Sequence, residues 1–183
     1  GGCVFGAVDL DNANINNLMT PAGQQFAVIV SNPGRSLADV FVERNEAALG
    51  SPPMIEQLGR DGRWCAGSCV DLAGARVSTA RVPPGDLEVL RLDSREVDGS
   101  APGSFDTGEH TAASSNAYRI TSTLPVVAYQ FNPLENVNVF SNDASLLIPT
   151  SGLGRDYIVM GWPQTIAPDP RLLDWNRHLR AFL

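Results

Sequence analysis

The chain contains no lysine. All thirteen of its basic residues are arginine, against twenty acidic residues, which gives a net charge of −7. Nucleic acids and anionic membrane surfaces are bound through basic stripes, so this balance argues against both partners. The sequence also lacks any run of about 18 apolar residues, so no segment is expected to insert into a membrane as a helix. Its 183 residues, 43% apolar and 18% charged, have the composition of a folded globular domain.

Histidine is also scarce, and it occurs twice, as His110 and His178. Neither has a second histidine at helical spacing, so the zinc-hydrolase pattern is missing, as are the nucleophile elbow and the phosphate-binding glycine motifs. A hydrolytic triad assembles only in space, and no carboxylate pair of the glycosidase type stands out among the scattered acidic residues. We therefore interpret both histidines as solvated loop residues and predict that the chain is not an enzyme.

Three cysteines are present, and two of them, Cys65 and Cys69, flank a three-residue segment. Fully extended, their α-carbons would lie about 13 Å apart, beyond the roughly 4.4–6.8 Å that a disulfide requires. A tight reversal at Gly67-Ser68 would close the gap, so we predict a Cys65–Cys69 disulfide, with two free thiols as the alternative. Cys3 is then the odd cysteine. This pattern favours an oxidising, exported setting.

Turn residues divide most of the chain into short apolar runs. Val126–Phe131 is β-branched and aromatic and stops at Asn132-Pro133, and Pro125 is expected to open this strand. The stretches Asn45–Ala75 and Asp93–Ser115 are rich in glycine, serine and charge, which predicts long surface loops. The predicted fold is all-β, an antiparallel β-sandwich-like domain with long surface loops. Its predicted strands are Val4–Leu10, Gln25–Ser31, Ala38–Glu43, Arg76–Val82, Leu87–Leu92, Ala117–Thr121, Val126–Phe131, Ala144–Ile148 and Asp156–Gly161.

One of these strands, Gln25–Ser31, has apolar residues at both alternating sets of positions. Successive side chains of a strand point to opposite faces, so Phe26, Val28 and Val30 share one face while Ala27 and Ile29 lie on the other. We therefore expect both faces of this strand to be covered.

The two ends of the sequence indicate a domain cut from a longer exported protein. The chain is already strand-like at Val4–Val8, and it stops at Phe182-Leu183 without a polar tail. We accordingly treat residues 1–183 as a single β-rich domain. The missing signal peptide then says little about location.

A small group of residues are candidates for ligand binding. Asp9 and Asp11 share one face of a strand and precede asparagines, a pattern suited to a hard cation such as Ca²⁺, although it fails the EF-hand pattern and polar strand-end residues making Asx turns explain it better. Asn142 and Asp143 form a second acidic turn. Trp162 and the nearby Gln164 follow a predicted strand, where an indole could stack on a sugar or could instead pack in the core.

Seven segments, taken in order, carry a family resemblance: Ala7–Ala13, Phe26–Pro33, Arg95–Ser100, Ala117–Ser122, Ala128–Pro133, Ser141–Pro149 and Tyr157–Met160. Together they resemble the N-terminal domain of IgGFc-binding proteins in the form found in exported bacterial proteins. The resemblance covers nearly the whole chain and implies a β-rich, secreted or cell-surface adhesion module. It transfers no ligand and no catalytic residue.

The expected function is therefore extracellular or bacterial cell-surface recognition of a protein, glycoprotein or glycan. One alternative is a carbohydrate-binding module, with or without dependence on calcium at Asp9 and Asp11. A second alternative is a structural spacer, which would bind no ligand. A hydrolase using His110 or His178 ranks last.

Overall fold

The computed structural model describes residues 1–10, 20–44, 56–58, 64–66, 79–93, 97, 114, 116–139 and 142–158, with only the backbone of 44, 56–58 and 64–66. Within these ranges the regular structure is β-strand, with two short 3₁₀ turns at Pro21–Gly23 and Thr150–Gly152. The predicted all-β class is confirmed. The strands are β1 Gly2–Ala7, β2 Ala27–Ser31, β3 Ala38–Arg44, β4 Glu56–Leu58, β5 Trp64–Ala66, β6 Thr79–Val82, β7 Leu87–Arg91, β8 Tyr118–Asn132 and β9 Asp143–Leu146.

The architecture is organised by β8, a strand of 15 residues that belongs to two antiparallel sheets. Its first half pairs with β1 and β3, and β6 follows beyond β3, so the first sheet has the order β1-β8-β3-β6. Its second half pairs with β2 and β9, and the second sheet has the order β9-β8-β2-β7-β4-β5. The two sheets form a sandwich-like fold in which β8 turns the corner from one to the other.

The core lies between the two sheets, and β8 faces it with every second residue. Tyr118, Ile120, Ser122, Val126 and Ala128 are buried, so the alternation continues through the corner. The ring of Tyr118 also stacks on Phe26 of the opposite sheet, with centroids 6.0 Å apart. The other buried core residues are Phe5, Ala7, Val28, Val30, Ala38, Val40, Val42, Ala80, Val82, Leu90 and Leu92.

The corner of β8 corrects one prediction. Pro125 does not open a strand; it lies inside β8, which continues on both sides of it. The partners of β8 reach Ser122 on one side and Val126 on the other, and the residues between them have no paired position among the described strands. Proline lacks a backbone N–H, and it is tolerated here because no ladder hydrogen bond is needed at this position.

Other strand predictions were partly right. The strands predicted at Ala117–Thr121 and Val126–Phe131 are one continuous element, and β4 and β5 lie inside the stretch Asn45–Ala75 that was predicted as loop. Of the strand predicted at Asp156–Gly161, residues 156–158 are described and are not in a strand. The expectation that both faces of β2 are covered is supported, since Ala27 is buried and Ile29 is half-buried on the face away from the core.

Close packing at the start of β1 yields a stability prediction. Gly2 is buried, and a Cβ placed on it would lie well inside 3.0 Å of the rigid ring of Pro149. We expect Gly2→Ala to lower the free energy of unfolding by about 1–3 kcal/mol, the usual cost of overpacking. Chemical denaturation measures the change. Gly6→Ala in the same strand is the matched control, because nothing lies within 4 Å of a Cβ there. Equal stability of the two variants would contradict the packing described.

Candidate functional site

A small polar pocket opens where β8 ends beside β9. It has a volume of about 110 Å³ and is lined by Leu10, Gln130, Asn132, Asp143 and Ser145. Gln130 pairs directly with Ser145 and Asn132 with Asp143 across the two strands. Opposite residues of an antiparallel pair point to the same face, so these four polar side chains lie side by side. These five residues form the polar pocket.

Two amide side chains of β8 anchor the segment that follows β1. Oε1 of Gln130 accepts a hydrogen bond from the backbone N–H of Val8 at 3.0 Å. Two residues further on, Nδ2 of Asn132 donates to the backbone carbonyl of Leu10 at 2.7 Å. These bonds connect the end of the second sheet to the chain leaving the first sheet. They also fix Leu10, whose side chain is 44% exposed, at the wall of the pocket.

The remaining polar groups of the pocket face solvent. Asp143 and Ser145 are both exposed, and within the described part of the chain their side chains have no hydrogen-bonding partner. Oε1 of Gln130 is the atom that accepts from Val8, so Nε2 is the donor left for other partners. The pocket therefore offers a carboxylate, a hydroxyl and an amide donor beside the apolar side chain of Leu10.

The other face of the same strands is apolar. Tyr129 pairs with both Leu146 and Ile29, and Ile29 pairs with Val89, so one row of apolar side chains crosses four strands. Leu146 is 59% exposed and Tyr129 38%. Single exposed apolar side chains are ordinary, whereas a contiguous group is typical of a contact surface. This outer apolar face consists of Ile29, Leu87, Val89, Val127, Tyr129, Phe131 and Leu146.

Of the predicted site residues in the described part of the chain, Asp143 is the one that lines the polar pocket. Asp143, a predicted ligand residue, meets Leu10, which lies between the two predicted metal ligands. Asn142 is exposed, and its Nδ2 donates to the carbonyl of Leu134 at 3.4 Å. Asp9 is buried at 4% exposure and does not line the pocket, while its carbonyl accepts from the N–H of Val97 at 3.0 Å.

Several other predictions fall outside the described residues. Asp11, Cys69, Trp162 and Gln164 are among them, and the side chain of Cys65 is as well, although its backbone lies in β5. The Cys65–Cys69 disulfide thus stays a prediction. Cys3 is half-buried in β1 as a free thiol.

Within the residues that the structure describes, no three His, Cys, Asp or Glu side chains gather into a group that could hold a metal ion. The same residues contain no helix that is both long and apolar enough to cross a membrane.

Sequence reasoning missed Gln130, Ser145 and Leu10. A signal for Gln130 was present, since it occupies a core-facing position two residues after Ala128 in the otherwise apolar predicted strand Val126–Phe131, and a polar residue there needs a hydrogen-bonding partner. No comparable signal marked Ser145 or Leu10. Their proximity to Gln130 follows from strand pairing and from the chain segment after β1, neither of which is local in sequence.

Comparison with known proteins finds no match. The chain matches no protein-family model, no curated protein and no solved structure.

Proposed function

We propose that this chain is a non-catalytic recognition or adhesion domain that acts outside the cell or on a bacterial cell surface. The observation that supports it best is the pair of surfaces formed where β9 runs beside β8. The polar pocket lies on one face of these two strands, and the outer apolar face lies on the other. Binding surfaces combine exposed apolar area with polar groups that fix orientation. The resemblance to IgGFc-binding proteins suggests the same kind of function.

The exposed polar side chains of the pocket favour a ligand-binding function over a purely structural role. A side chain that only stabilises the fold has its hydrogen bonds made within the protein, as Asn132 does with Leu10. Asp143 and Ser145 instead present their groups to solvent on β9. In the free protein such an exposed group is hydrogen-bonded to water. A ligand that displaces this water gives the group a new hydrogen-bonding partner.

The spacer alternative also has one observation in its favour. The outer apolar face, with Leu146 and Tyr129 at its exposed part, would suit packing against a neighbouring domain. A spacer would show no affinity for soluble or immobilised ligands. A direct binding measurement therefore separates the two functions.

The test is binding of the purified chain, displayed in many copies on beads so that weak single sites act together, to a glycan array, to immobilised mucin and to immunoglobulin Fc, each with and without a chelator. We expect chelator-insensitive binding to the array or to mucin, with uncoated surfaces as the control. Signal that disappears with the chelator would support the calcium-dependent alternative through Asp9 and Asp11. Failure to bind any of the three would overturn the proposal in favour of the spacer.

A further inference from the structure

The chemistry of the polar pocket indicates a class of ligand. A sugar hydroxyl both donates and accepts hydrogen bonds, and the pocket offers both kinds of group, with the Asp143 carboxylate as acceptor and Gln130 Nε2 as donor. The hydroxyl of Ser145 can do either. The exposed side chain of Leu10 adds an apolar surface for the C–H groups of a sugar ring.

The size and the charge of the polar pocket limit the ligands that it can bind. A volume of about 110 Å³ equals the liquid volume of roughly four water molecules, well below the pockets of about 300–1,000 Å³ that hold drug-sized ligands. It therefore admits one edge of a single sugar ring. An acidic sugar would bring its carboxylate towards Asp143 in a protein of net charge −7, which is unfavourable. With a single carboxylate among its five lining residues, the pocket is also far from the six to eight oxygen ligands that calcium takes.

We propose that the polar pocket is a subsite for one neutral sugar residue, in which Asp143, Ser145 and Gln130 bind adjacent hydroxyls while Leu10 contacts the ring. The inference rests on the proposed recognition function and gives it a ligand class. It differs from the calcium-dependent alternative because the hydroxyls are bound by protein side chains without a metal ion.

The pocket is preorganised, which favours recognition of a small ligand. Gln130 and Asn132 are held by their bonds to the backbone of Val8 and Leu10, so the donor and the apolar wall are already positioned. Preorganisation reduces the ordering cost of binding, although one sugar residue supplies few contacts. A single site should therefore bind weakly, with dissociation constants of about 1 mM, and several sites in an assembly would add through effective concentration.

The test uses nuclear magnetic resonance titration of the ¹⁵N-labelled chain with methyl mannoside, methyl galactoside and methyl N-acetylglucosaminide. We expect at least one probe to shift the side-chain amide of Gln130 and the backbone amide of Ser145 without a chelator effect. Asp143→Asn and Ser145→Ala should each weaken that binding about tenfold, the effect of losing one hydrogen bond to a sugar. Asp156→Asn and Ser151→Ala are matched controls, since both residues are exposed and lie outside the pocket.

Each outcome has one meaning. No shift with any probe at about 50 mM, or equal shifts in the pocket variants and the controls, would overturn the sugar subsite. Shifts produced by methylammonium in place of the sugars would also overturn it, because the pocket would then be a cation site. Mucin binding that survives the double variant Asp143→Asn/Ser145→Ala would refute this subsite and leave the recognition function standing. Glycoside shifts that stay intact while mucin, glycan and Fc binding are all absent would leave the subsite standing and refute the recognition function.

Discussion

Replacing Asn32 with leucine is expected to lower the free energy of unfolding by about 3 kcal/mol, because three backbone groups, among them the buried carbonyl of Val82, lose their side-chain partner. Asn32 is fully buried directly after β2. Its Nδ2 donates to the carbonyls of Ser36 at 2.8 Å and Val82 at 2.9 Å. Its Oδ1 accepts from the N–H of Gly34 at 2.9 Å. One side chain thus connects the β2–β3 turn to the end of β6.

The backbone of the same residue adds to this connection. The N–H of Asn32 donates to the carbonyl of Asp86 at 2.9 Å, and its carbonyl accepts from Gly85 at 2.8 Å. Gly85 has a φ of +71°, which a glycine adopts without strain, so the β6–β7 turn is held in the conformation that meets Asn32. Leucine would keep these backbone bonds and remove only the side-chain ones, which isolates the contribution of the amide.

Urea denaturation of Asn32→Leu and of Asn136→Leu measures the difference. Asn136 is exposed and makes no side-chain hydrogen bond in the described part of the chain, so its substitution should change stability by less than about 0.5 kcal/mol. A loss of under about 1 kcal/mol for Asn32→Leu would show that the buried amide does not hold the two turns together.

Tyr118→Ala should have a comparable or larger effect, lowering the free energy of unfolding by about 3–5 kcal/mol, the range for removing a buried aromatic ring. Tyr118 begins β8, is 1% exposed and stacks on Phe26 across the core. Its hydroxyl donates to the carbonyl of Asp93, just after β7. The substitution leaves a cavity between the sheets at the end where β8 pairs with β1 and β3.

Two further tyrosine variants separate the causes of that loss. Tyr118→Phe keeps the ring and removes the hydroxyl, so it should cost about 1 kcal/mol. Tyr157→Ala is the control for removing a tyrosine, because Tyr157 is 58% exposed and, among the described residues, its hydroxyl bonds only to the backbone of Gly154. If Tyr118→Ala and Tyr157→Ala had the same midpoint of denaturation, Tyr118 would have no role in joining the sheets.

The strands that could be predicted are those in which apolar and polar residues alternate over enough positions to show a period of two. β3 is an example, with buried Ala38, Val40 and Val42 between exposed or half-exposed residues. β4 and β5 have three residues each, too few to show a period, and their pairing with β7 and with each other is set by tertiary structure. The union of two predicted strands into β8 also escaped prediction, since Pro125 is locally a sign of a strand end.

The candidate site was predictable only in part. Asp143 was identified because an acidic turn is visible in the sequence. The register that sets Ser145 opposite Gln130 cannot be read from either segment alone, because a shift of one residue would turn every side chain to the other face. Contacts such as that of Val8 with Gln130, which are separated by 122 positions, depend on the complete fold.

The sharing of β8 between two sheets has a consequence for how the domain loses its structure. A sandwich made of separate sheets can in principle open one layer while the other persists. Here the backbone of one strand completes the hydrogen bonding of both layers, so detaching β1 and β3 disrupts the strand on which β2 and β9 depend. We therefore expect the two sheets to unfold as a single cooperative unit, with partial opening confined to elements remote from β8, such as the β4–β5 hairpin.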